Sequence, residues 1–253
     1  MALTATATTK LRVNVSELIG MRDELIVSIS PCKSNIMFAV TQYTSVQDAF
    51  QPVAERLLTD RSKCPRIIIY CRRIEECADL YLFFKGYLGL YFSDPPGAPD
   101  VPKFRLVDMY TSCTDREVKE AIISAFTSDS CLRVVVETVA FGMGVDCPDI
   151  RQVIHLGCPT DLESYVQETG RAGRDCLPSM AVLLRKARSK HVTKTMLKYM
   201  SNDTCCRRNV LFENFDNYSH SFTGPLCMCC DVCMRSCTCG NCLLNHQLFI
   251  SFN

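Results

Sequence analysis

Arg66-Ile67-Ile68-Ile69-Tyr70-Cys71 is an unbroken apolar run, largely β-branched. That is the composition of a parallel strand buried on both faces. Directly after it Ile74, Cys77, Ala78 and Tyr81 recur at helical spacing, with Gly86 as the expected stop. Pro95, Pro96, Pro99 and Pro102 mark an irregular surface loop. Farther on, Phe104 to Tyr110 reads as a strand. Thr114-Asp115-Arg116-Glu117 reads as a capping box before an apolar face of Val118, Ala121, Ile122, Ala125 and Phe126. Leu132 to Val136 and Gln152 to Leu156 are two more strands. Thr160-Asp161-Leu162-Glu163 is a second capping box, with Leu162, Tyr165 and Val166 facing the core, and Ala181 to Leu184 closes the series. This alternation predicts an α/β domain with a mainly parallel sheet, whose active loops lie at the carboxyl ends of the strands.

The 253 residues suffice for one large domain and a small one. Lysine plus arginine, 28, nearly balance aspartate plus glutamate, 27, so any nucleic-acid contact must come from local placement rather than net charge. No apolar run approaches the roughly 18 residues a membrane helix needs. The opening MALTATATTK is free of acids until Glu17, but Lys10 and Arg12 alone make a weak transit peptide. Cysteine is the outlier: of eighteen, nine fall between Cys205 and Cys242. With no secretion signal evident, metal binding explains them better than disulfides.

Two stretches carry chemistry at the expected strand tips. If the helix begun at Thr160 continues, Gln167, Gly170, Arg171 and Arg174 of QETGRAGRD (167–175) share one face. One amide, two guanidinium forks and bare backbone suit a phosphoryl group. The plainer alternative is a solvated helix end with Glu168 paired to Arg171. In VETVAFGMGVD (136–146) a strand flows into a glycine-containing loop, where backbone amides and the Thr138 hydroxyl can meet a phosphate. The alternative there is a tight turn that needs glycine. Farther on, Cys206-Arg207-Arg208 precedes Cys227-x-x-Cys230-x-x-Cys233, a spacing suited to tetrahedral zinc.

Taken in order, these words resemble the motifs of superfamily 2 DNA helicases of the RecQ type. Leu3-Thr4-Ala5-Thr6-Ala7-Thr8 is similar to motif three, Ile67 to Cys71 to motif four, 136–146 to motif five and 167–175 to motif six. Cys206-Arg207-Arg208 with Cys230-Asp231-Val232-Cys233 is similar to the zinc module, and the likeness runs from residue 2 to about 233. The resemblance implies an α/β fold: a RecA-like helicase C-terminal lobe followed by a small helical zinc-binding domain. Residues 1–60 would then be a remnant of the first motor lobe with the interlobe linker, 61–186 the RecA-like lobe, 187–235 the zinc module and 236–253 a Cys-rich tail.

By the same resemblance Arg171 and Arg174 contact nucleotide phosphates across the interlobe cleft, with Arg174 the finger, and Gln167 couples that site to the motor. Gly142, Gly144 and Asp146 line the nucleotide cleft, and Thr138 touches the DNA backbone. Thr4 and Thr6 link hydrolysis to strand movement. Cys206, Cys227, Cys230 and Cys233 hold a structural zinc, with Cys205 and Cys229 as competitors for the site; Cys237, Cys239 and Cys242 lie beyond the four, and no second metal is favoured there over a second site or contact with another chain. Arg207 and Arg208, on a helix stabilised by that metal, face DNA phosphates or acidic neighbours in the lobe. Two departures matter: Glu137 stands where the family carries Ala, and Thr111-Ser112-Cys113 where it carries His-Ala-Gly. Neither a Gly-Lys-Ser/Thr loop nor an Asp-Glu-x-His box occurs in the 253 residues, so ATP and magnesium are expected only with a first lobe.

The expected activity is ATP-dependent 3′-to-5′ unwinding of single-stranded or forked DNA in recombination and repair, in the nucleus and away from membranes. The alternatives are a non-catalytic DNA-binding or docking module and a truncated product.

Overall fold

A computed structural model describes residues 4, 6–138, 146–186, 192–218, 222–242 and 249–252. Six strands, β1 (Ile36–Gln42), β2 (Arg66–Cys71), β3 (Val107–Tyr110), β4 (Val134–Glu137), β5 (Ile150–Leu156) and β6 (Ser179–Arg185), form one sheet. Their order is β1-β6-β5-β2-β4-β3, and every pairing is parallel. β2 is central, as its two-faced hydrophobicity requires: Ile67, Ile68 and Ile69 are fully buried. Helices α2 (Val46–Asp60) and α3 (Ile74–Leu88) cover one face through Phe50, Val53, Leu57, Leu80 and Phe84. The opposite face is covered by α4 (Arg116–Thr127), α5 (Leu162–Thr169), α6 (Lys194–Ser201) and α7 (Arg207–Phe212). A first helix, α1 (Thr9–Leu18), buries none of its own residues, and α8 (Asp231–Met234) lies in the cysteine-rich region. Among the described residues no helix is long and apolar enough to cross a membrane.

Several expectations need correction. β1 and α2 are integral to the sheet and its helical layer, so a lobe boundary at residue 61 falls inside the lobe. Their apolar positions, Met37, Ala39, Phe50 and Val53, have no other core to enter. Gly86 sits inside α3, which stops instead at Gly89, where φ is +52°. The strand expected from Phe104 begins only at Val107. Neither capping box forms. The Thr114 hydroxyl accepts from Thr111 N at 3.0 Å rather than capping α4. Asp161, not Thr160, caps α5 by accepting from Ser164 N at 2.8 Å, and Glu163 instead accepts from the Thr8 hydroxyl at 2.8 Å. On α4 only Ile122, Ala125 and Phe126 of the expected face are buried, and Val118 is exposed.

The exposed backbone edge of β1 is closed by the cysteine-rich segment. Phe38 N donates to Cys229 O at 3.3 Å and Val40 N to an Asp231 carboxylate oxygen at 3.1 Å, which satisfies groups that would otherwise invite another strand. At the chain's end Phe249 and Ile250 pack into the layer with α2 and α3. There the buried Gln152 amide of β5 donates to Ile250 O at 3.1 Å and accepts from Ile250 N at 2.9 Å.

Candidate functional site

The arginine-bearing turn follows α5 at the side of the sheet. Thr169 ends the helix, and Arg171 N and Ala172 N bond back three residues to Glu168 O and Thr169 O. Gly173 then adopts φ +56°, so the helical phase is lost between the two arginines. The four groups expected on one helix face are therefore divided. Gln167 is exposed, Arg171 is buried, and Arg174 reaches outward to an Asp146 carboxylate oxygen at 2.6 Å.

The turn is held by its carbonyls. Lys33 Nζ donates to Gly170 O at 2.7 Å and Ala172 O at 3.2 Å, while Asn35 Nδ2 donates to Gly173 O at 2.9 Å and Leu177 O at 2.8 Å. Gly173 N donates to Ile150 O at 3.0 Å, and Arg151 pairs with Asp175. Nothing larger than glycine fits at 173: a Cβ would lie 2.3 Å from Asn35 Nδ2 and 2.8 Å from the Ser179 hydroxyl. Burial, and next the neighbouring Arg174 guanidinium, pulls the Lys33 ammonium below its usual range. The sequence reading missed Lys33 and Asn35 as supports of this turn, because they contact it across more than 130 residues of chain.

Beneath the turn a polar row crosses the carboxyl ends of the strands. Register places Tyr110 beside Glu137, Glu137 beside Tyr70, and Tyr70 beside His155. Tyr70 stacks on His155 with centroids 4.9 Å apart, and His155 Nε2 lies 2.7 Å from a Glu168 carboxylate oxygen. Glu137 is completely buried between Tyr70 and Tyr110. Burial, and then the Glu137 charge, hold the Tyr70 hydroxyl well above its ordinary range. A cavity of about 230 Å³ at these tips is lined by Tyr70, Arg72, His155, Gly157 and Glu168 among others. Thr138 follows directly on β4 and is half-buried. Gly142 and Gly144 lie outside the described residues.

Thr4, Thr6 and Gln167 come together across the chain: with Asp161, Glu163 and Ser164 they line an open cavity of about 440 Å³. The segment carrying the two threonines is docked, since Thr9 N donates to Asn214 O at 3.1 Å and Arg12 pairs with Asp216 at 3.0 Å.

The cysteines sort into two quartets. Cys206, Cys229, Cys230 and Cys233 place their sulfurs within 4.8 Å of one another, and so do Cys227, Cys237, Cys239 and Cys242. The expected ligand set is thereby corrected at one position, Cys229 replacing Cys227. The 3₁₀ turn Leu226–Met228 carries Cys227 toward Cys239, whereas Cys229 Sγ lies 3.6 Å from Cys206 Sγ. A zinc–sulfur bond of about 2.3 Å gives tetrahedral edges of about 3.8 Å, so four free thiols at this spacing suit a structural zinc. Hydrogen bonds within the quartet lower the Cys206 thiol and raise that of Cys229, as expected of sulfurs close enough to share one proton network.

Arg207 and Arg208 are not placed to meet DNA. Both are buried. Arg207 pairs with Asp231 and donates to Tyr199 O at 3.2 Å; Arg208 donates to Lys33 O at 2.8 Å, Ser34 O at 3.1 Å and Ile36 O. Neither expected setting is met as stated: the acidic partner of Arg207, Asp231, lies in the cysteine-rich region rather than the lobe, and Arg208 faces main-chain carbonyls. A charged side chain so deep must be paired, and these carbonyls supply the partners.

Known proteins resemble this arrangement. The helicase conserved C-terminal domain matches residues 49–176. "ATP-dependent helicase wrn-1" of Caenorhabditis elegans is 30% identical over 260 residues, covering 92% of this chain and 22% of that protein. "ATP-dependent DNA helicase Q4" of Homo sapiens is 35% identical over 181 residues, 71% of this chain and 14% of that protein. "ATP-dependent DNA helicase Q-like 2" of Arabidopsis thaliana is 28% identical over 252 residues, 93% and 33% respectively. The chain thus spans a third or less of the length of these relatives. Among solved structures, S. cerevisiae Dbp5 bound to RNA and ADP BeF3 superimposes with a TM-score of 0.55 at 16% identity, over 78% of this chain and 48% of that one. That likeness concerns the fold.

Proposed function

This chain belongs to the helicase conserved C-terminal domain family, in its RecQ-like form within superfamily 2, and we propose that it acts as the second lobe of an ATP-dependent 3′-to-5′ DNA helicase. The observation that carries this reading is the arginine turn. Its carbonyls are fixed by Lys33 and Asn35, while the Arg174 guanidinium reaches outward to Asp146. A fixed fork of donors at such a place is suited to the charge that spreads over a transferred phosphoryl group. In this reading Arg174 is the finger, whereas Arg171, expected to contact the phosphates as well, is buried. Gly142, Gly144 and Asp146 border the nucleotide, and Thr138 meets the DNA backbone. Gln167 with Thr4 and Thr6 passes the state of the nucleotide to the strand.

ATP and its magnesium would be presented by a first lobe bearing a Gly-Lys-Ser/Thr loop, which these 253 residues do not contain. The zinc quartet supplies no open coordination position, so its part is to hold α7 and α8 against β1. Single-stranded or forked DNA is the proposed substrate, recombination and repair the setting, and the nucleus the compartment.

The test is DNA-stimulated ATP hydrolysis, measured on this chain alone and joined to a RecQ-type first lobe. The chain alone should show no turnover, the joined protein should hydrolyse ATP, and Arg174→Ala should lower that rate by roughly 10³-fold or more. Turnover by the chain alone, or an Arg174→Ala rate equal to the parent's, would overturn the proposal.

A further inference from the structure

The second cysteine quartet has no place in the motor chemistry. Cys227 is fully buried, its sulfur 3.7 Å from that of Cys239, which is in turn 3.6 Å from that of Cys242; Cys237 completes a group whose sulfurs all lie within 4.8 Å. All four are free thiols. These edges match the roughly 3.8 Å expected between sulfurs around one tetrahedral zinc, and they are far longer than the roughly 2.05 Å of a disulfide.

The backbone is built to gather them. The end of α8 runs straight into Cys237, whose amide donates to Met234 O at 3.0 Å. Gly240, at φ +74°, reverses the chain between Cys239 and Cys242, a conformation that other residues adopt with strain. On the other side the 3₁₀ turn Leu226–Met228 parts two near neighbours, sending Cys227 to this group and Cys229 to the first.

We propose that Cys227, Cys237, Cys239 and Cys242 bind a second structural zinc ion, so that the region after α7 is a two-metal module rather than a single knuckle. Four thiolates favour a soft, borderline metal such as zinc and leave no room for a bound water. The role is to fasten residues 237–242 to the turn that precedes α8. Those residues carry little buried surface of their own, with Cys239 exposed and Cys237 and Cys242 half-buried.

The experiment is metal content by mass spectrometry on the full chain purified with zinc. It is paired with cobalt replacement, whose visible bands report tetrahedral thiolate sites, and with alkylation of accessible thiols. Two zinc ions per chain are expected, falling to one in Cys239→Ser/Cys242→Ser, with the cobalt bands halved and circular dichroism unchanged. Cys227→Ser should likewise remove one metal and leave Cys206, Cys229, Cys230 and Cys233 protected from alkylation. One zinc per chain with Cys237, Cys239 and Cys242 freely alkylated, or a disulfide among them, would overturn the proposal. So would a Cys227→Ser protein that empties the first quartet instead. None of these readouts depends on ATP hydrolysis, so the second zinc and the helicase reading stand or fall separately.

Discussion

The arginine turn and the cysteine module are held by opposite means. In the turn the main chain is gripped, by Lys33 and Asn35, while Arg174 faces outward. In the module the side chains are gripped: thiols converge and Arg207 and Arg208 are buried. One region is therefore organised to present a charge and the other to absorb several. What joins them is the stretch 33–36, which supplies side chains to the turn and carbonyls to Arg208.

The strongest way to break this contrast is to take the metal away. Chelation should lower the thermal midpoint by on the order of 10 °C or more, because zinc binding and folding of such a module are one free energy. Calorimetry with and without chelator reads this directly, and an unmoved midpoint would mean that the module stands without metal. Next, Arg208→Met should cost about 2–4 kcal/mol in urea titrations, since the buried Ile36 carbonyl and the part-buried carbonyls of Lys33 and Ser34 lose a charged donor. A loss under 1 kcal/mol would show that the junction is looser than described. Gly173→Ala should cost about 1–3 kcal/mol, from its positive φ and the clash with Asn35. Equal stability of the two proteins would show that the turn yields. The smallest stability effect belongs to Arg174→Ala, at under about 1 kcal/mol, because its ion pair with Asp146 is exposed to water. A larger loss would place Arg174 among the gripped groups rather than the presented ones.

Much of the fold could be read along the chain. The run 66–71 announces a doubly covered strand, and the alternation after it announces a parallel sheet. β1 was not read as a strand, although the apolar run Ile36-Met37-Phe38-Ala39-Val40 after Pro31, Ser34 and Asn35 carries the signal of one. The site was legible where it is a local word and illegible where it depends on distance. QETGRAGRD marks the arginines, but nothing in it shows that Gly173 breaks the helical phase until Asn35 and Ser179 are seen against it. Spacing also misassigned Cys227, because a rule that counts residues is blind to a 3₁₀ turn that rotates one thiol away from its neighbours. Glu137 stood out as ill-suited beside a phosphate, and the structure buries it between Tyr70 and Tyr110 in the sheet.

The pairing of Gln152 with Ile250 carries a practical lesson. A primary amide in the middle of a hydrocarbon layer imitates a peptide link, and it recruits a piece of chain from 98 residues away to answer both its donor and its acceptor. Shortening the protein at the last cysteine would strand that amide among greasy neighbours and uncover the pocket that Phe249 and Ile250 fill. Where an expression clone stops is thus a choice about solubility, even though no motif lies there.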